Sequence, residues 1–292
     1  MNQIDLHIHS HHSLDGEFTE LELIQQAKEA GLSQMAIADH NSVRAIPKAL
    51  SLAKQAGIEL IPAIEIDCDF HGINVHLLGY NIDHTDPAYE TLTESVYRQE
   101  GLASALRVKK TQALGLPLSI NNFKGKDIII PEEIAEYLLN SENAQDYPLL
   151  HPYMTGGSRS DNPYVNFYWD YFSNGKPCYV PVEFISFEDA VALVKRTGGI
   201  PVIAHPEKTF TGIEPHLEEL IQLGAEGLEV FSSYHSPQEI LALYTLAKKY
   251  KLMVTFGSDY HGKTKPSVDL GMTQCHLPHK EQKKEIESLL KK

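Results

Sequence analysis

Residues 3–9 read Gln3-Ile4-Asp5-Leu6-His7-Ile8-His9, a short strand-like run close to the start of the chain. Successive side chains of a strand leave opposite faces, so His7 and His9 leave the same face, about 6–7 Å apart along the backbone. Two imidazoles at that spacing can reach one ion. Taken alone, a His-x-His pair does not establish a metal site, and the neighbouring His11 and His12 read equally well as a solvated loop. The fold is decided by what recurs at the ends of the later strands.

Working outward, six further β-branched runs follow: Gln34–Asp39, Glu59–Asp67, Ile73–Tyr80, Ile200–Ala204, Gly227–Phe231 and Met253–Gly257. Helical patterns lie between most of them. Thr19 and Glu22 form a capping-box signature ahead of Leu23, Ala27 and Ala30, and Gly31 closes that helix. Ser186 and Asp189 cap a helix through Lys195, and Ser236-Pro237-Gln238-Glu239 starts another, with Ile240, Leu243, Tyr244 and Ala247 as its buried stripe. Strands alternating with helices point to a parallel α/β architecture, either an open doubly wound sheet or a closed barrel.

The polar residues choose between the two. His7 and His9 end the first strand, Asp39 and His40 the second; Glu65 lies in the third and His76 in the fourth. His205 ends the fifth, Glu229 lies in the sixth, and Asp259 and His261 follow the seventh. The strand ends of a parallel barrel open onto one face, where such residues converge better than they would on an open sheet. Asp39-His40 could be a helix cap and His205-Pro206 a turn. So many polar and charged groups crowded together would nevertheless destabilise the fold unless cations compensated them. Imidazole with carboxylate favours Zn, Mn or Fe.

The run from 83 to 182 breaks the alternation. It is helical around Tyr89–Leu114, then rich in Pro, Gly, Ser and aromatics. It reads as a mainly helical insertion with its own small core, between two parts of a discontinuous barrel, 1–82 and 183–292. Tyr164, Phe167, Tyr168 and Trp169 are either that core or a surface on which a base stacks.

Composition narrows the function. With 25 Lys and Arg against 39 Asp and Glu, the formal charge is −14, which disfavours broad binding to duplex nucleic acid. A small phosphorylated ligand is still compatible, because bound cations reverse the local sign. Three scattered cysteines, Cys68, Cys178 and Cys275, read as reduced thiols of a cytoplasmic protein. There is no basic-then-apolar signal pattern and no apolar stretch of about 20 residues to enter a membrane. Oligomeric state is not legible.

Asp5-Leu6-His7-Ile8-His9-Ser10, Ala38-Asp39-His40-Asn41, Ile64-Glu65-Ile66, Ala204-His205-Pro206 and Gly257-Ser258-Asp259-Tyr260-His261 together resemble the PHP (polymerase and histidinol phosphatase) superfamily. The resemblance implies a distorted, TIM-like seven-stranded (β/α) barrel with the insertion between its fourth and fifth strands and two or three divalent ions. It places one ion on His7, His9, Glu65 and Asp259, a second on Glu65, His76 and His205, and a third on Asp15, His40 and His261. His11 or His12 is the alternative to Asp15. The stand-alone branch acts on nucleotides, including 3′,5′-nucleoside bisphosphates, AMP and 5′ ends of short RNA, and many members carry an Arg-x-His segment that this insertion lacks. The expected chemistry is phosphate-ester hydrolysis by a metal-bridging hydroxide. Arg159 is expected to clamp phosphate, with Lys176 and Lys208 as further substrate-binding candidates, and His235 to contact phosphate or protonate the leaving alcohol. Competing readings are an amidohydrolase-type C–N hydrolase, a histidinol-phosphate phosphatase and a non-catalytic PHP module.

Overall fold

The computed structural model describes residues 4–210 and 212–290. Its elements in chain order are β1 (Ile4–Ile8), α1 (Glu20–Glu29), β2 (Gln34–Ile37), α2 (Ile46–Ala56), β3 (Glu59–Leu60), β4 (Ala63–Phe70) and β5 (Ile73–Tyr80). Next come α3 (Pro87–Ala113), α4 (Pro131–Leu139), α5 (Pro163–Tyr171), β6 (Ile185–Ser186), α6 (Phe187–Arg196) and β7 (Ile200–Ile203). The chain ends with α7 (Pro206–Thr209), α8 (Glu214–Gln222), β8 (Gly227–Ser232), α9 (Pro237–Tyr250), β9 (Met253–Gly257), α10 (His279–Glu285) and α11 (Glu287–Leu290). Gln3, the expected start of the first strand, lies outside the described residues.

The local signals work as the residue types require. The Thr19 hydroxyl accepts from the Glu22 amide, and the Glu22 carboxylate accepts from the Thr19 amide at 2.8 Å, closing the first turn of α1. Ser236 and Glu239 repeat the device on α9. The buried face of α9 is narrower than expected: Leu243 and Ala247 are buried, whereas Ile240 and Tyr244 pack half-buried against the core.

The fold is mixed α/β, and it departs from the expected barrel in two respects. The strands form a three-stranded parallel sheet, β1-β2-β3, and a six-stranded mixed sheet, β6-β4-β5-β7-β8-β9, not one continuous closed sheet. Isolated bridges tie the two together, Ile8 to Tyr260 at one seam and His40 to Glu65 at the other. The expected third strand is split at Ile61-Pro62, giving β3 to one sheet and β4 to the other. Proline has no N–H for a ladder, so a strand interior breaks there. The second departure is that β5 runs antiparallel to both β4 and β7. A tight His71-Gly72 turn joins β4 to β5, which forces antiparallel pairing; a parallel partner needs a crossover.

One large apolar core spans both sheets, joining Ile4, Leu6 and Ala36 to the six-stranded sheet and its helices, and a second packs the three-stranded sheet on α1 and α2. The segment between β5 and β6 has a core of its own, built from Val108, Ile134, Leu138, Phe167 and their neighbours.

Candidate metal centre

β1 puts His7 and His9 on one side, both fully buried. The end of β9 is stitched against them: the Asp259 amide donates to the His7 carbonyl at 2.8 Å and the His9 amide to the Tyr260 carbonyl at 2.9 Å. Only glycine fits at 257, where a Cβ would lie 2.1 Å from that of His7. Asp259 (φ 57°) and His205 (φ 21°) both hold positive φ without being glycine. That strain of about 1–3 kcal/mol each persists only where surroundings impose it, and it clusters at functional sites.

Four polar atoms face one point, from the ends of β1 and β9 and from within β4. His7 Nε2 lies 3.1 Å from Glu65 Oε2 and 3.6 Å from Asp259 Oδ1; His9 Nε2 lies 3.2 and 3.1 Å from the same two oxygens. Ligand atoms about 2.1 Å from a tetrahedral ion sit about 3.4 Å from each other. None of the four has a hydrogen-bond partner, although all are buried.

The outer partners show why. His7 Nδ1 lies 2.9 Å from the Glu229 carboxylate, so that nitrogen carries the proton. Ser13 Oγ donates its one proton to Asp39 and therefore accepts from His9 Nδ1 at 2.9 Å. His261 Nδ1 donates to the Asp259 carbonyl at 2.9 Å. Each ring thus commits Nδ1 outward and leaves Nε2 without a hydrogen-bond partner, as metal ligation requires; those of His7 and His9 face the centre and that of His261 faces Asp15. The donor set fits divalent ions.

Glu65 has two faces. Its Oε2 belongs to the group just described and lies 3.3 Å from His40 Nδ1, while its Oε1 lies 3.0 Å from His76 Nδ1 and 2.9 Å from His205 Nε2. The second expected group is therefore assembled. His76 reaches it from the first half of β5 because that strand is antiparallel. Of the third group, His261 Nε2 lies 3.2 Å from Asp15 Oδ2, and His9, His40 and His261 cluster together. His11 and His12 do not replace Asp15; they group with Glu20 instead, His12 at 3.0 Å.

Sequence reasoning missed Asp67, which lies 3.4 Å from His40 and 3.0 Å from His76. The signal was present, since Asp67 stands two residues after Glu65 on the same strand face. Lys265 was also missed; buried beside the site, its ammonium lies 2.5 Å from Asp259 Oδ2. No spacing rule marks a lysine in an irregular segment. Asp39 is no member of the central group: it accepts from the Ser10 amide and the Ser10 and Ser13 hydroxyls, holding the His9 loop.

Charges within the cluster are strongly coupled. Burial opposes ionisation of Glu65, but His7, His40 and His76 outweigh it and hold the carboxyl well below the usual range. Burial opposes charging of His40, yet Glu65 and Asp67 raise it to about 9. Burial takes His261 down to about 4.

A cavity of about 710 Å³ opens from this centre. His40, His76, His205, Asp259, Lys208 and Lys265 line one part; Glu100, Arg107, Glu132, Tyr168, Trp169 and Phe172, from the insertion, line another. The Lys208 ammonium lies 4.1 Å from the centre of the Trp169 ring and 5.2 Å from that of Tyr234. Three expected substrate groups are not brought there. Arg159 forks onto Asp170 at 3.0 and 3.1 Å, and Lys176 lies outside the lining. His235 is buried off the cavity, its Nδ1 2.8 Å from the Val230 carbonyl. The aromatic segment divides: Phe167 is insertion core with Tyr164 packed on it, while Tyr168 and Trp169 face the cavity.

A family model described as the PHP domain matches residues 5–147. The chain carries a PHP domain. It is 28% identical to a 3′,5′-nucleoside bisphosphate phosphatase of Chromobacterium violaceum, over 94% of this chain and 92% of that protein. It is 27% identical to a phosphoribosyl 1,2-cyclic phosphate 1,2-diphosphodiesterase of Eggerthella lenta, over 89% and 94%. Among solved structures it resembles a protein of Bifidobacterium adolescentis assigned as a metal-dependent phosphoesterase, with a TM-score of 0.77 and 26% identity over 98% and 96% of the two chains.

Proposed function

We propose that this PHP protein is a metal-dependent phosphoesterase that hydrolyses phosphate monoesters of small nucleotides. The observation that carries the reading is the pair of imidazoles, His7 and His9, whose unpartnered Nε2 atoms face a Glu65 carboxylate with its two oxygens toward two groups of ligands. The named activities of the PHP relatives, all on phosphoesters, support it.

The ligands are His7, His9, Glu65 and Asp259 for one ion, Glu65, His76 and His205 for a second, and Asp15, His40 and His261 for a third, with Asp67 beside the last two. Mn, Fe and Zn suit these donors. Bound there, divalent ions lower the pKa of water and neutralise charge on phosphoryl oxygens. The remaining work falls to the chain. Lys208, without a carboxylate partner among the described residues, holds a non-reacting phosphate oxygen; Tyr168 and Trp169 flank the organic part of the substrate.

On this reading β1, β2, β4, β5, β7, β8 and β9 are the family's distorted seven-stranded barrel, interrupted at two seams. Residues 83–182 are its substrate cap, between barrel segments 1–82 and 183–292. Cytoplasmic residence is part of the same reading, supported by three free, buried cysteines and by the lack, among the described residues, of any helix long and apolar enough to cross a membrane.

The test is phosphate release by purified protein with Mn, Fe or Zn, from AMP, adenosine 3′,5′-bisphosphate and histidinol phosphate, beside amide substrates. Release from nucleotides that a chelator abolishes is expected. Amide cleavage without phosphate release would overturn the assignment.

A further inference from the structure

Glu65 and Asp67 stand two residues apart on β4 and leave it on the same face. Both reach His76, one at each ring nitrogen: Glu65 Oε1 lies 3.0 Å from Nδ1, and Asp67 Oδ1 lies 3.0 Å from Nε2. An imidazole that ligates an ion through one nitrogen keeps its proton on the other. The two carboxylates therefore cannot do the same work at this ring. One shares an ion with it, and the other accepts its N–H.

Their remaining partners tell them apart. Among the described residues the Glu65 carboxylate meets only ring nitrogens, those of His7, His9, His40, His76 and His205, and its Oε2 is buried without a hydrogen-bond partner. Asp67 is already an acceptor. Asn41 Nδ2 donates to its Oδ2 at 2.6 Å and Asn74 Nδ2 to its Oδ1 at 3.3 Å, while the Asp67 amide donates to Asn41 Oδ1 at 3.0 Å. Asn41 is pinned in turn. Its amide donates to the Glu65 carbonyl at 2.7 Å, and its carbonyl accepts from the Thr93 hydroxyl of α3 at 2.6 Å. Its φ of 54° is a left-handed backbone that asparagine tolerates.

We propose that Asp67 is the positioning residue of the second ion. It accepts the N–H of His76 Nε2 and so presents Nδ1 to the ion, beside Glu65 and His205. His76 thus ligates through Nδ1, whereas His7 and His9 offer Nε2. Asp67 does for His76 what Glu229 does for His7, from the opposite side of the ring. This rests on the metal-dependent reading and deepens it. His40 Nδ1 lies 3.4 Å from Asp67 Oδ2 but makes no hydrogen bond, so loss of Asp67 acts through His76. Removing such an outer carboxylate weakens metal affinity about 10–100-fold.

The experiment measures Mn binding to the full chain by equilibrium dialysis with metal analysis, in the wild type, Asp67→Asn, His76→Ala and the double variant. Thermal melting of the chelator-treated proteins controls for folding, and Asp67→Ala stands in should Asp67→Asn fail to fold. The wild type is expected to bind at least two ions. Asp67→Asn should weaken one of them about 10–100-fold and leave another within about threefold. In the His76→Ala background the same substitution should change affinity less than about twofold, because its route to the ion is gone. Unchanged affinity in Asp67→Asn overturns the proposal. So does a weakening that persists in the His76→Ala background, since Asp67 would then ligate directly. A wild type that binds no Mn sinks the metal-dependent reading itself, which is distinguishable from both.

Discussion

Replacing Lys265 by Met removes one half of an ion pair that is sealed from water. The ammonium lies 2.5 Å from Asp259 Oδ2, and the two side chains are only 6% and 3% exposed. Burial opposes the charge on Lys265, but Asp259 and Tyr234 hold its pKa above the ordinary lysine value. Taking away one partner leaves Asp259 charged and unmatched, which costs about 3–5 kcal/mol. For 292 residues, about 2.1 cal/mol/K per residue gives an unfolding entropy of about 0.6 kcal/mol/K, so the metal-free variant should melt about 5–8 °C lower. With ions bound, Asp259 gains another partner for its charge and the drop should be smaller. Calorimetry of chelator-treated and Mn-loaded protein measures both. Asp259→Asn combined with Lys265→Met should melt higher than the sum of the two single shifts, since the buried charges then vanish together. A shift below about 1 °C in the metal-free single variant, or strictly additive shifts, would refute the claim that this pair is a stability element.

Glu229→Gln should weaken metal binding about 10–100-fold, because the carboxylate fixes the His7 tautomer; chelator competition with metal analysis tests this, and unchanged affinity contradicts it. Burial and nearby Lys265 bring Lys208 down to about 8. The protonated form is the one that binds phosphate, so kcat/KM should be level below that pH and fall above it. Lys208→Gln should lower the plateau about tenfold or more and abolish the fall; an unchanged alkaline limb in the variant assigns it to another group. His235→Ala should leave kcat/KM within about twofold, given its place off the cavity, and a loss beyond about 100-fold would restore it to the reaction.

Much of the centre was legible because ligation depends on residue type and strand position, both of which sequence carries. His7 and His9 two apart, Glu65 within a strand and His205 at another's end sufficed to gather the groups seen here. The helix caps at Thr19, Ser186 and Ser236 were legible for the same reason, being local hydrogen bonds between residues three apart. What failed depends on partners distant in sequence. Arg159 looked like a phosphate clamp, but a carboxylate eleven residues away on α5 occupies its guanidinium. Lys265 stands out only once folding has removed water from it, and no periodicity announces that.

The antiparallel β5 shows how one misjudged direction can leave the site intact. In a parallel strand a ligand has to sit near the C-terminal end to reach the mouth. His76 is the fourth residue of Ile73–Tyr80, too early for that. Reversal brings the first half of β5 to the mouth and pairs His76 directly with Asp67 across the β4–β5 ladder. Since Asp67 and Glu65 leave β4 on the same face, the reversal sets two carboxylates against one imidazole, Glu65 at Nδ1 and Asp67 at Nε2. The His71-Gly72 turn, too short for any crossover, is thus what delivers the second group of ligands to Glu65.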